Sequence, residues 1–500
     1  MSISSIGAQS ALIMNQLVQM RAQFDDLQRQ LATGHKSATY AGLGIDRGVT
    51  VSLNSQLSAI SSYNDTIQNV MARINLMNTA LGNMIDISSQ VKAAMVQANG
   101  VGNGSGAEVA QQTGLNSLDQ LLALLNARAG DRYLFSGRAT DTPAVETLDH
   151  ILNGNGSRAG LKQLINERNQ ADLGADGRGR LTIGAGGPNT VQIDEQATTF
   201  GFKLGSITST VTGATTSGPT GSPASMTIDF SAAVPNPGET VTVRLNLPDG
   251  TSENLTLTAT TDSPPGANEF TIGATAGQTA TNFQTALSTS IEKLGASALT
   301  AASAVAASSE FFNADASNPP QRVGGSPPFF AATGMVPGTT ANTVIWYTGE
   351  TGSDPARSTA TARIDQSLSV SYGARANEEA IRNLVQNVAT LAAVTISPTD
   401  PNGVALSGEL DNRIAVNVGN TSIQTISDIE TDLASAQTSL QAAKGRHQQA
   451  NATLSDFLQQ IDGVSNEDVG AQLLTLQTRM QASLQITSML YQTSLVNYIK

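Results

Sequence analysis

Cysteine is absent from all 500 residues. That excludes disulfides, thiolate zinc sites and cysteine nucleophiles together. Aromatic residues make up 4% and charged residues 13%; Gly, Ala, Ser, Thr, Asn and Gln fill their place. With hydrophobic residues at 39% the chain is too apolar to be disordered, yet it is aromatic-poor for an enzyme core. Basic charge is also scarce. Lys and Arg number 27 against 40 Asp and Glu, a net charge of −13. Neither a nucleic-acid backbone nor an anionic membrane surface is an expected partner. No run approaches the roughly 18 apolar residues of a membrane-spanning helix. The first residues lack a basic segment followed by an unbroken apolar stretch. The expectation is a chain that stays in the cytoplasm or is exported without a cleaved signal peptide.

What is present is helical periodicity at both ends. Ile13, Leu17, Met20, Phe24, Leu27 and Leu31 fall at spacings of 4, 3, 4, 3 and 4. Near the other end Ile426, Ile429, Leu433, Ala436, Leu440, Ala443, His447, Ala450, Leu454, Phe457 and Ile461 alternate 3 and 4 throughout. Such alternation puts one apolar seam on each helix, and a seam needs a partner. A first helix is expected to end at Gly34. A second, from about Asp46 to Ala98, carries Ile67, Val70, Ile74, Met77, Leu81, Met84, Val91 and Met95, interrupted at Ser88. At 1.5 Å per residue it would be roughly 75 Å long, which suggests a rod. Glycines 100, 102, 104 and 106 read as a turn before a third helix through Leu115, Leu118, Leu122 and Leu125. A last helix from about Glu467 carries Val469, Leu473, Leu476, Met480, Leu484 and Leu495, with Ile486, Met489 and Val496 off its main stripe.

Between the helical ends the period changes to two. Short strands are expected around Leu181–Ile183, Val191–Ile193 and Phe200–Leu204, and residues 205–223, rich in Thr, Ser, Gly and Pro, read as a linker. Residues 224–350 read as a separate inserted module. It has alternating Met226, Ile228, Phe230 and a hairpin of Val241–Leu247 and Leu255–Ala259 about Pro248-Asp249-Gly250. A short helix through Phe283, Leu287, Ile291 and Leu294 follows, and the module closes near Trp346. Ile381, Leu384, Val388 and Leu391 then mark a return to helix. The fold class is therefore α+β, with long terminal helices packed as a coiled-coil rod, a β-rich centre and an inserted domain. The expected domains are 1–45 with 465–500, 46–140 with 360–464, 141–223, and 224–350.

No motif carries catalysis. His35, His150 and His447 lack the i, i+4 spacing of a helical zinc site, so neither metal nor cofactor is expected. His447 lies on a seam; satisfied packing outweighs a pH switch there. The string from Gly34 to Ser37 ends a helix where a phosphate loop must begin one. Ser105 follows no strand, as a nucleophile elbow requires. Asp25-Asp26 and Glu378-Glu379 are adjacent pairs pointing in different directions along a helix, which suits solvation rather than acid–base work.

Four strings resemble the bacterial flagellin superfamily. Leu27-Gln28-Arg29-Gln30-Leu31-Ala32-Thr33-Gly34 is similar to its first-helix ending and Asn75 through Leu81 to its second helix. Gly130-Asp131-Arg132-Tyr133-Leu134-Phe135-Ser136-Gly137 resembles a string of the hook–filament junction proteins. Leu484 through Leu490, followed by Leu495 through Tyr498, resembles the closing helix. The resemblance covers residues 1–140 and 360–500. The loop at 35–44 departs from the filament type, and the surface insert occurs in only some flagellins.

The resemblance implies an extracellular structural subunit of the flagellum. It would polymerise with copies of itself, meet hook-associated proteins, leave unfolded through the flagellar type III channel, and be met first by a chaperone on its last helix. The expected assembly seam is Ile13, Leu17, Met20, Phe24, Leu27, Leu31, Leu473, Leu476, Met480, Leu484 and Leu495. The expected rod core is Ile67, Val70, Ile74, Met77, Leu81, Ile426, Leu433, Leu440, Leu454 and Ile461. Two alternatives stand beside a filament subunit. One is a junction protein present in few copies. The other is a secreted adhesin whose insert binds a glycan, with Trp346 as a stacking surface.

Overall fold

The computed structural model describes residues 3–101, 104–396, 400–418 and 423–498. In chain order, α1 (Ile3–Thr33) leads through a 3-10 turn (Tyr40–Asp46) into α2 (Arg47–Val101) and α3 (Gly104–Leu125). A hairpin, β1 (Arg128–Ala129) and β2 (Arg132–Tyr133), precedes α4 (Leu148–Asn153) and α5 (Leu161–Leu173). Eight strands follow: β3 (Leu181–Gly187), β4 (Thr190–Glu195), β5 (Lys203–Ser209), β6 (Thr215–Thr220), β7 (Ser225–Asp229), β8 (Thr240–Asn246), β9 (Ser252–Thr260) and β10 (Glu269–Thr271). Next are α6 (Ala276–Leu294), a π-turn (Gly295–Leu299) and α7 (Thr300–Asn313). Two small pairs, β11 (Arg322–Val323) with β12 (Met335–Val336) and β13 (Thr361–Arg363) with β14 (Ser369–Ser371), lead to α8 (Glu379–Ala393). The chain ends in α9 (Gly403–Val418), α10 (Ile426–Asp462) and α11 (Asn466–Tyr498). The class is α+β. No described helix is long and apolar enough to cross a membrane.

The chain forms two compact units, residues 1–71 with 362–370 and 437–500, and residues 72–361 with 371–436. The second unit holds both four-stranded sheets. One has the order β10-β9-β8-β5, the other β3-β4-β7-β6. Leu181, Ile193, Met226, Ile228, Phe230, Val243, Leu257 and Phe270 from the sheets share one core with Phe283, Leu287 and Ile291 of α6. Phe230, Phe270 and Phe283 meet one another at ring-centroid distances of 5.3–6.1 Å. Edge-tilted contacts of this kind suit the quadrupoles of the rings.

This core corrects the expected boundary at 223/224. The supposed linker contains most of β5 and all of β6. β7 pairs with β4 and with β6, and β8 pairs with β5. The β-rich region therefore begins before residue 224. The linker reading failed because Thr and Ser, common in loops, also suit an exposed strand. All of β6 is exposed, so its composition carries no burial pattern. Within the expected region 141–223, a β-containing outer region and linker, α4 and α5 are two helices that the residue pattern did not announce. α5 hid because its inward face includes the charged Glu167 and Asp172, which break the apolar stripe. Asp172, fully buried, accepts hydrogen bonds from Arg168 Nε at 2.9 Å, Gly201 N at 2.8 Å and Ser303 Oγ at 2.8 Å. Its polar demand is met inside the core.

α7 is alanine-rich and was not foreseen. It joins α6 through the π-turn, where Gly295 passes so close to the strand-side loop that a Cβ would lie 2.4 Å from Gly177 O. The expected glycine turn at 100–106 is also shorter than the sequence suggested. Gly104 and Gly106 lie inside α3, and Gly102 falls outside the described residues. Trp346 is only 1% exposed. Its Nε1 donates to Phe312 O at 2.9 Å, and it packs edge-on against the Phe312 ring. It presents no stacking face to a sugar, which removes one of the two features behind the adhesin reading, the other being the hairpin module.

The loop before β8 carries an acid-sensitive tie. Glu239 accepts hydrogen bonds from Asn236 N at 2.8 Å, Asn236 Nδ2 at 2.9 Å and Thr212 N at 2.8 Å. The bonds from Asn236, then those from Thr212, lower the Glu239 carboxyl to about 2. A carboxyl depressed by folding stabilises the fold above its unfolded value and loses that contribution as pH falls through the folded one. The tie is thus lost between about pH 4.5 and about pH 2. Glu239→Gln should flatten this part of the acid limb in a pH series of denaturant midpoints. An unchanged limb would show that the bonds do not hold in solution.

Candidate assembly interface

α1 and α11 pack along each other in the first unit. Ile13, Leu17, Met20, Phe24 and Leu27 lie half-buried along α1. On α11 the inward stripe is Val469, Leu473, Leu476, Met480, Ser483 and Thr487, again at spacings of 4 and 3. Two expected seam residues lie elsewhere. Leu31 is exposed, near the end of α1. Leu484 is 56% exposed, one position off the stripe, which continues through Ser483. The side chain of Leu495 lies outside the described residues.

The pair is joined at its root by two helix-ending turns. Lys36 N donates to Asp462 O at 2.7 Å and Val464 N donates to Gly34 O at 3.1 Å, a two-bond bridge between segments far apart in sequence. Lys36 Nζ reaches back to Ile461 O at 2.6 Å, satisfying a carbonyl at the end of α10 where the helix dipole favours a cation. His35 Nδ1 lies 2.8 Å from Asp462 Oδ2. Gly34 takes φ of +71°, and at Gly463 a Cβ would lie 2.3 Å from Gln459 O. Both turns therefore require glycine. On the α1 side Arg29 Nε donates to Asp26 Oδ1 at 3.2 Å, and the Arg29 hydrogen bond holds the Asp26 carboxyl below its ordinary value. Sequence reasoning missed this clasp. The signal available was a glycine just beyond the end of two different helices.

The outward faces of the pair are apolar to an unusual degree. Leu12, Met14 and Val18 on α1 and Leu474, Leu484 and Ile486 on α11 each expose more than half of their surface. Beyond the clasp, Ile45 is 97% exposed and Tyr40, Val49 and Val51 are exposed around it. Isolated surface leucines need no explanation, but several large apolar side chains exposed on each of two paired helices mark an interaction surface.

In the first unit Ile67, Val70 and Leu440 are buried, while Leu454 and Ile461 are half-buried. His447 is buried beside them. Its Nδ1 lies 3.1 Å from Asn64 Oδ1, its ring stacks on Tyr63 at 5.9 Å, and its Nε2 is 3.7 Å from Asp365 Oδ2. The stripe leaves the predicted register after Leu454. Leu458 is half-buried and Phe457 is exposed, so the step is 4 rather than 3. Ile461 is half-buried again, so the seven-residue repeat from Leu454 is kept and only the position between them shifts by one. In the second unit Ile74, Met77, Leu81 and Leu433 are buried and Ile426 is half-buried. The gap at Ser88 is filled by buried Ile87. No cluster of His, Asp and Glu able to hold a metal occurs among the described residues.

Residues 3–140 match the family model of the bacterial flagellin N-terminal helical region, a span that covers α1, α2, α3 and the β1–β2 hairpin. No curated protein matches the chain.

Proposed function

We propose that this chain, which belongs to the bacterial flagellin family, is a subunit of the flagellar filament that polymerises through its terminal helices. The observation that carries this reading is the exposed apolar surface on α1 and α11. One partner helix already covers the seam, so what remains outside it needs further neighbours. Burial among copies returns about 25 cal/mol per Å² of apolar surface, which offsets the ordering entropy of helices that are marginal alone. Head-to-tail contacts that do not close propagate a helical tube. The role is structural rather than catalytic, and the location is the extracellular flagellum. Unfolded export through the flagellar type III channel accords with the absence of cysteine. A cytoplasmic chaperone on α11 and hook-associated proteins at the filament's base are the further partners of this reading.

The string at 130–137 favours a second reading, a hook–filament junction protein. In it Phe135 is fully buried, while Arg128 Nη2 donates to the Tyr133 hydroxyl at 2.8 Å. Electron microscopy of the purified chain, seeded with sheared flagellar fragments, separates the two. Long filaments from the full chain and none from a truncation lacking residues 465–500 are the expected result. A chain that only caps isolated hooks is the junction protein. A chain that does neither overturns the flagellar assignment of function.

A further inference from the structure

The docking face of α9 contains a carboxyl group where an apolar residue is expected. Gly403, Leu406, Ser407, Leu410, Asp411 and Ile414 form its buried ridge. This ridge packs on α3, α7, α8 and the π-turn, all within the second unit. Asp411 is 2% exposed, and neither of its carboxylate oxygens has a hydrogen-bond partner of good geometry. An ionised carboxylate in such a place is strongly disfavoured unless a cation or several donors face it.

None does. The charged groups on the packed elements are Glu108 and Asp119 on α3, Glu310 on α7, and Glu379 and Arg382 on α8; the π-turn has none. On α9 itself, Arg413 is engaged with Asp249, Glu253 and Glu409. Burial is the dominant influence on Asp411, and the nearby Ser407 hydroxyl opposes it in part.

We infer that Asp411 is a proton-loaded latch: α9 seats fully on α7, α8 and the π-turn with this carboxyl neutral, and ionisation loosens the helix. Because Arg413 rides on the same helix, loosening also slackens its hold on the β8–β9 turn. The inference is independent of the assembly reading. Burial raises Asp411 from 3.8 to about 7. A carboxyl raised by folding contributes stability that is full below its unfolded value and is lost as pH rises through the folded one. The loss therefore runs from about pH 4 to about pH 7 and then levels.

The test uses the full chain. Amide hydrogen exchange of residues 403–418, corrected for intrinsic rates, is compared at pH 5 and pH 8 in wild type and Asp411→Asn. Linkage predicts an opening equilibrium about a hundredfold larger at pH 8 in wild type and nearly pH-independent in the variant. The carboxyl carbon of Asp411, followed by NMR, should titrate with a midpoint well above 6. Wild-type protection that does not change with pH, an Asn variant that tracks wild type, or a midpoint near 4 each overturns the latch. Should the variant fail to fold, the two wild-type measurements still decide.

Discussion

Replacing Leu474, Leu484 and Ile486 together with serine should abolish polymerisation and leave the melting of the monomer nearly unchanged. Each of these side chains is more than half exposed, so its loss costs the isolated fold little; surface substitutions fall within about 0.5 kcal/mol. In an assembled lattice each would be buried, worth about 1.5–3 kcal/mol per side chain. Losing three raises the critical concentration by roughly three orders of magnitude or more, since every 1.4 kcal/mol is tenfold. Sedimentation of seeded reactions over a concentration series reads this directly. The contrasting variant is Leu476→Ala on the inward stripe. Leu476 is buried against α1, so this change should cost about 2–5 kcal/mol of folding stability instead. Filaments that grow from the serine variant at the wild-type critical concentration would remove the exposed face of α11 from the interface.

The second large effect is expected at Arg413. Its Nε donates to Asp249 Oδ2 at 2.9 Å and its Nη2 to Glu253 Oε1 at 3.2 Å, while Nη1 bonds Glu409. Asp249 belongs to the Pro248-Asp249-Gly250 turn, where its Oδ1 also accepts from Thr251 N at 3.0 Å. Arg413 thereby fastens α9 to the tip of the hairpin. Both Arg413 and Asp249 are almost fully buried. Desolvation leads the forces that raise Glu253, with the Glu409 charge next, while Arg413 opposes both. Arg413→Ala would leave a buried carboxylate without its cation, at a cost of about 3–5 kcal/mol. Arg413→Met combined with Asp249→Asn should cost less than Arg413→Ala alone, because the most deeply buried of the three carboxylates is then neutral, while Glu253 and Glu409, which lose their cation in both variants, keep some contact with water. Denaturant midpoints of the three proteins test this. If the double variant is as damaged as the alanine variant, the bond network rather than the orphaned charge holds the turn.

Much of the helical frame was legible in the residues. A 3/4 spacing of apolar side chains states which face of a helix must be buried, and that sufficed for α1, α2, α8, α10 and α11 to within a few residues. The alternation around Pro248-Asp249-Gly250 likewise announced the β8–β9 hairpin. The reading faltered where burial was polar or absent. α5 carries Glu167 and Asp172 inward and α9 carries Asp411 and Arg413, which interrupt their apolar stripes, and β6 buries nothing, so it has no stripe at all. For the candidate interface, the seam of α1 was readable as far as Leu27. Leu31 and Leu484 were not, because their exposure depends on how the partner helix is placed.

The sequence by itself determined the absence of thiol chemistry, the acidic charge, the seams and the β-rich centre, since each follows from residue identity and short-range spacing. Only the tertiary structure decided that β4 takes β7 as a neighbour, that Leu458 replaces Phe457 in its stripe, and that His35 meets Asp462. It alone brought Arg413 to Asp249 across 164 residues. Periodicity sets which surface must leave water, because that depends on a few neighbouring side chains. Which distant surface covers it depends on the fit of shape and charge between segments that meet only when the chain has folded.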